Sequence, residues 1–179
     1  MANSQRLYDL NAACMLIVVS ILLGAFYYQF GLHENPCPLC LLQRMGMIGV
    51  IVGLAMNMQL GFHRLHFAAV NVASLVGATF SIRQVLLHIC PVTGEPTGFG
   101  EPMMGLHLYT WGVLIFAASI LGSSILLTLV KEHPEESDRR PSLFEQIVFG
   151  LASLVCFVNV AATFAMCWFG PCCDDGPCP

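Results

Sequence analysis

Five stretches without Asp, Glu, Lys or Arg divide this chain, at 10–33, 45–63, 65–82, 102–130 and 146–173. Each approaches or exceeds the roughly 20 apolar residues that cross a bilayer as a helix. The 179 residues are 56% hydrophobic and 10% charged, against about 25% charged in a soluble domain. So little charge cannot cover a water-facing surface, which excludes a soluble globular fold. The same composition is too hydrophobic for disorder. Lys and Arg number 7 against 11 Asp and Glu, which removes nucleic-acid binding as well. An integral membrane enzyme, a transporter or a membrane scaffold remains.

Trimmed for Gly, Pro and polar edges, the stretches predict helices near 12–30, 41–60, 65–89, 105–130 and 144–169. The first reads as a retained span, its apolar run being too long for a leader and no basic segment preceding it. Backbone groups in lipid must satisfy one another, so the expected fold is an all-α, integral-membrane helical bundle. It forms a single membrane domain over 1–179, with 170–179 a Cys-rich tail. The segment 131–141 (KEHPEESDRRP) reads as a solvated, Pro-bounded linker without chemistry.

Basic residues set the expected orientation. Arg6, Arg64, Lys131, Arg139 and Arg140 fall on one side of the five spans. The segments 31–40, 90–104 and the tail after Phe169 contain no Lys or Arg. The positive-inside rule then places the N-terminus in the cytoplasm and those three segments outside.

That parity sorts the nine cysteines. Cys14, Cys156 and Cys167 fall within helices 1 and 5 and read as small apolar packing residues, Cys167 being nearest the outer surface. Cys37, Cys40, Cys90, Cys172, Cys173 and Cys178 fall outside. Six thiols on an oxidising face imply disulfides, and six cysteines allow 15 pairings that spacing does not choose between.

The strongest local signal is Asn35-Pro36-Cys37-Pro38-Leu39-Cys40-Leu41-Leu42-Gln43-Arg44. A Cys-x-x-Cys pair closes a small ring whose bond exchanges readily. Pro38 suits a first helical turn, where its missing N–H is no loss, so helix 2 is expected to begin at the motif. The helix N-terminus favours a thiolate at Cys40, and Arg44 lies four residues on, along the same face. An arginine at that depth is costly unless it snorkels or works. Its functional reading is to stabilise the Cys40 thiolate and donate to a carbonyl of a lipid-soluble acceptor. The alternative is a structural staple beside a snorkelling arginine.

The motif Cys37-Pro-Leu-Cys40-Leu-Leu-Gln43-Arg44 after a first membrane helix resembles the disulfide bond formation protein B (DsbB) family of quinone-linked thiol oxidases. The resemblance covers about residues 10–130. It implies a DsbB-like four-helix core, a redox pair Cys37–Cys40, and a membrane quinone (ubiquinone or menaquinone) beside Cys40 in contact with Arg44. It also implies a bacterial inner-membrane location and an electron-donating partner, a periplasmic thioredoxin-like (DsbA-like) oxidase. Two departures stand out. The family places a second redox pair between helices 3 and 4, whereas here that loop offers Cys90 alone. A fifth transmembrane helix is also added, returning Cys172, Cys173 and Cys178 to the outer face. One expectation is that a tail thiol pairs with Cys90 as the second redox pair; the competing one is direct attack by the partner on Cys37–Cys40.

Around this site, Arg83 and His88 are expected at the end of helix 3, where Arg83 either snorkels or adds a positive group near the quinone. His107 opens helix 4 and is a candidate quinone donor, while Tyr109 and Trp111 fit an interfacial aromatic belt. Glu34, Glu95 and Glu101 read as solvated loop acids. The rival class is a copper-binding membrane protein using Cys37, Cys40, Cys90, Met103, Met104, His107 and the tail thiols. Against it, no helix interior carries a ladder of soft ligands. A third reading is a scaffold with structural disulfides, which leaves Arg44 unexplained.

Overall fold

Five helices run α1 (Ala2–Phe26), α2 (Pro38–Leu60), α3 (Arg64–Ile89), α4 (Leu108–Leu129) and α5 (Leu143–Cys167), each long and apolar enough to span a membrane. The computed structural model describes residues 2–90, 102–129, 140–168, 170, 172–173 and 176–177. The linker expected at 131–141 therefore lies mostly outside the described residues. Behind α5, Cys172–Cys173 (β1) pairs antiparallel with Gly176–Pro177 (β2), both against α5.

The up-and-down connectivity gathers the end of α1, the start of α2, the end of α3, the start of α4 and the end of α5 at one face of the bundle, the cysteine end. Laterally, α4 packs on α3, α3 on α2, and α2 on α1, while α5 packs on α1 and α2. The fifth helix is part of the core: Val148, Ala152 and Val155 are buried in one cluster with Ala12, Met15, Val19 and Leu22 of α1.

Polar residues fix the helix ends at the opposite face, and they explain why α1 starts before residue 12. Gln5 Nε2 donates to Glu145 Oε1 at 2.8 Å and to Asp9 Oδ1 at 3.0 Å. Ser142 caps α5 in a reciprocal box with Glu145 and also donates to Asp9. Satisfied charges can continue a helix that a charge-counting rule ends early. Nearby, Asn11 donates to Leu54 O, Asn57 donates to Asn11 Oδ1, and His66 Nδ1 lies 3.2 Å from Asn57 Oδ1 and 3.1 Å from Gly61 O. This network ties α1, α2 and α3 together. Gly61 has φ +81°, a backbone conformation that favours glycine, and it ends α2 so that α3 can start at Arg64.

The α2–α3 contact is a seam of small residues. A Cβ on Gly46 would lie 2.7 Å from Gly77 Cα, and one on Gly49 would lie 2.7 Å from Ala73 Cβ. Without a hydrophobic drive in lipid, such close backbone approach supplies the packing energy. The Phe116 ring of α4 covers Gly77, so that a Cβ there would overlap it. Gly77→Ala is therefore expected to destabilise the bundle by about 1–3 kcal/mol, the usual cost of overpacking. Gly150 has nothing within 4 Å of its virtual Cβ, so Gly150→Ala should leave the detergent melting midpoint unchanged. Thermal unfolding of both variants checks the contrast.

Candidate active site

Cys37 is the N-cap of α2 and Pro38 its first residue, as the motif predicts. Cys37 and Cys40 form a disulfide with Cα atoms 5.1 Å apart. The Cys40 backbone N–H donates to Cys37 Sγ at 3.2 Å, so the sulfur serves as the helix cap. Cys37 is 6% exposed and Cys40 partly exposed. The pair thus sits at the electropositive end of a helix, where a thiolate is favoured.

A second helix reaches this disulfide. Gln84 of α3, 1% exposed, directs Nε2 to Cys37 Sγ at 3.2 Å and Cys40 Sγ at 3.5 Å. Its Oε1 accepts from Gln43 Nε2 at 2.6 Å. Gln43 was visible only as a motif letter and Gln84 was missed. The available signal was the spacing of Ser81, Gln84 and His88 in apolar α3, which puts three polar residues on one face.

Arg44 is buried, 7% exposed. Its Nη1 donates to Gln29 Oε1 at 2.6 Å and its Nη2 to Ala25 O at 3.1 Å, with Cζ 5.6 Å from the Phe26 ring centre. The arginine is held by α1 and does not snorkel. Gln29 reaches it because α1 ends in a π-helical turn, Tyr27–Gly31, a wider turn that re-aims side chains and recurs at functional sites. Among the described residues no carboxylate pairs with Arg44. Two of its five N–H donors are occupied by these bonds.

His88 and His107 come together with ring centres 4.9 Å apart, and His107 stacks on Tyr109 at 5.1 Å. Tyr109 is 3% exposed, which corrects its assignment to an interfacial belt: it faces inward. Its Oη, Ser81 Oγ and His88 Nδ1 are buried without a hydrogen-bond partner among the described residues. Trp111 instead bonds Met103 O at 3.1 Å.

The structure places three further residues that the sequence singles out. Arg83 is exposed; one residue turns a helix by about 100°, so when Gln84 faces the disulfide Arg83 faces outward and adds no charge to the site. Cys90 is a free, exposed thiol, not paired with a tail cysteine. The reason is lateral: the tail strands lie on α5, which packs on α1 and α2, whereas Cys90 ends α3. Cys167, expected to be a packing residue, is disulfide-bonded. Cys14 and Cys156 are free, as expected of packing thiols. The side chains of Cys172 and Cys173, Cys178, Glu95 and Glu101 lie outside the described residues, and Glu34 is half-buried. Among the described residues no three His, Cys, Asp or Glu side chains converge to hold a metal ion.

A membrane-spanning bundle with a Cys-x-x-Cys disulfide capping one helix, one turn above a buried cation, has the parts of a membrane disulfide-forming oxidoreductase. The chain belongs to the disulfide bond formation protein DsbB family, which matches residues 6–126. Similar relatives are disulfide bond formation protein B of Pseudomonas syringae pv. tomato, 29% identical over 59% of this chain and 80% of the relative, and that of Chromobacterium violaceum, 31% identical over 58% and 68%. Disulfide bond formation protein B 1 of Pseudomonas fluorescens is 27% identical over 66% of this chain and 57% of the relative. No solved structure matches the chain at comparable stringency. The protein is accordingly a multi-pass inner-membrane protein of disulfide bond formation. The family match, residues 6–126, ends before α5.

Proposed function

We propose that this protein is a thiol:quinone oxidoreductase that reoxidises a periplasmic thioredoxin-like, DsbA-like oxidase and passes the electrons to ubiquinone or menaquinone. In this reading the N-terminus is cytoplasmic and the cysteine end periplasmic, in keeping with Arg6, Arg64 and Arg140 at the opposite face. The observation that carries it is a disulfide at the head of α2 with a buried Arg44 one turn below that has no carboxylate partner among the described residues.

The donor chemistry of Arg44 fits a quinone carbonyl, and the orphaned groups on α3 and α4 are candidates for a second contact. Arg44 retains N–H donors beyond those given to Gln29 and Ala25, and Tyr109 Oη, Ser81 Oγ and His88 Nδ1 are buried polar atoms without partners among the described residues. Such atoms are costly unless something polar satisfies them. Arg44, with Tyr109, His88 and His107 as further candidates, would hold the ring. When bound, the quinone supplies a two-electron, two-proton sink.

The partner's thiolate attacks the Cys37–Cys40 bond, and a second exchange releases the partner as a disulfide, leaving Cys37 and Cys40 as a dithiol. Two electrons and two protons have then entered the pair. The α2 N-terminus favours the Cys40 sulfur as a thiolate, and Arg44, one turn on, would offer its remaining N–H donors to a quinone carbonyl. Cys37 recloses the disulfide as the electrons leave. Cys40 is the more exposed residue of the pair, so direct attack needs no second pair, and the free state of Cys90 supports that shorter route.

Anaerobic quinone reduction by a reduced thioredoxin-like dithiol protein tests the reading. Wild type should turn over, and Cys90→Ser should retain activity within about threefold, the range of a surface substitution away from the exchange chemistry. No quinol formation by wild type would remove the function. Loss on Cys90→Ser would restore a second redox pair.

A further inference from the structure

We propose that Gln84 is a further catalytic residue, an amide donor fixed across both sulfurs that biases the Cys37–Cys40 pair towards its reduced, thiolate form. The proposal rests on the reading of that pair as redox-active.

The direction of the amide follows from elementary chemistry. Disulfide sulfurs carry lone pairs and no hydrogen, so they accept and never donate. The NH₂ end of Gln84 must therefore face them, at 3.2 Å and 3.5 Å. The opposite orientation would press Oε1 against two sets of lone pairs. That leaves Oε1 turned to α2, where Gln43 Nε2 donates to it at 2.6 Å. Gln43 is itself buried, 6% exposed, and acts as the positioning residue that locks the rotation of the Gln84 amide.

The two amide hydrogens match the two sulfurs. In the disulfide both acceptors are weak, and a buried amide that finds only weak acceptors is poorly compensated for leaving water. Reduction changes this. The pair takes up two electrons and two protons from the donor dithiol, whose own sulfurs become the new disulfide. Loss of one proton then turns one sulfur into an anion, and a hydrogen bond to a charged acceptor is roughly twice as strong as a neutral one. Gln84 consequently favours the reduced state over the oxidised one. A stabilised reduced form makes a disulfide a stronger oxidant. The fold provides this donor from α3, so the oxidising strength of the motif is not a property of α2 alone.

The test uses the purified full-length protein in detergent. The pair is equilibrated against graded dithiothreitol or glutathione buffers, and its reduced fraction is read by alkylation and mass spectrometry of the peptide containing Cys37 and Cys40. Gln84→Leu is expected to shift the equilibrium about tenfold towards the disulfide, or about 30 mV for a two-electron couple. The pH midpoint for alkylation of the reduced pair should rise in parallel, which a purely structural role would not produce. Gln43→Leu, which leaves Gln84 in place but free to rotate, should shift both readouts in the same direction by about threefold, and it serves alone if Gln84→Leu does not fold. Values within twofold of wild type in both readouts would overturn the proposal. A wild type that reduces no quinone, yet whose pair responds to Gln84→Leu as stated, would remove the proposed function and leave this inference intact.

Discussion

Cys40→Ser is expected to reduce anaerobic quinone reduction to the uncatalysed background, a loss of at least about three orders of magnitude, because it removes a group that takes part in bond making. A hydroxyl cannot form the disulfide, so the partner's electrons have nowhere to go. Cys37→Ser should be equally inactive, yet the two variants should differ in what they trap. Cys37 is 6% exposed and holds the helix cap, receiving the Cys40 N–H. Cys40 is partly exposed. In a Cys90→Ser background, the Cys40 thiol left by Cys37→Ser should therefore capture an oxidised partner as a mixed disulfide in clearly higher yield. Non-reducing electrophoresis reads the difference. Equal capture by both thiols would mean that burial does not select the sulfur that meets the partner, and measurable turnover by either variant would exclude the pair as the route of electrons.

The parts of this site legible in the sequence are those encoded by local spacing. Cys37, Pro38 and Cys40 announce a helix start because an N-cap, a first-turn proline and an exposed first-turn N–H are all short-range features. The five spans were legible for the same kind of reason, since lipid imposes length and apolarity on each helix separately. Residues that depend on how helices cross were not legible. Gln84 reaches the sulfurs because Gly46, Gly49 and Gly77 let α2 and α3 approach closely; the spacing of Ser81, Gln84 and His88 marks a polar face on α3 but not what that face meets. Gln29 meets Arg44 through a π-helical turn that no residue pattern marks. Parity placed Cys90 and the tail on one side of the membrane but could not place them side by side: α5 went to the α1–α2 flank. Arg83 illustrates the same limit within one helix, where a single residue of rotation separates a site group from a lipid- or headgroup-facing one.

Arg44→Leu should lower kcat/KM for quinone by roughly 100-fold, the usual loss when a fixed donor to a developing negative charge is removed. The effect should fall on both parameters. In the proposed function KM rises because a quinone carbonyl would lose its donor, and kcat falls because the Cys40 anion would lose a cation one turn away. Stability should move the other way or not at all. Arg44 is a buried cation without a carboxylate among the described residues, and its desolvation opposes folding. Its two hydrogen bonds, to Gln29 Oε1 and Ala25 O, offset part of that cost at about 1.5–3 kcal/mol each. A leucine would keep the contact with Phe26 and leave Gln29 free to turn towards the headgroups. Arg44→Lys retains the charge but not the planar fork, so it should recover about tenfold of the lost kcat/KM, more through kcat than through KM. Steady-state quinone kinetics beside detergent melting curves separate these outcomes. A variant that melts well below wild type while its kcat/KM stays within threefold would make Arg44 a structural residue, held by α1 for packing alone.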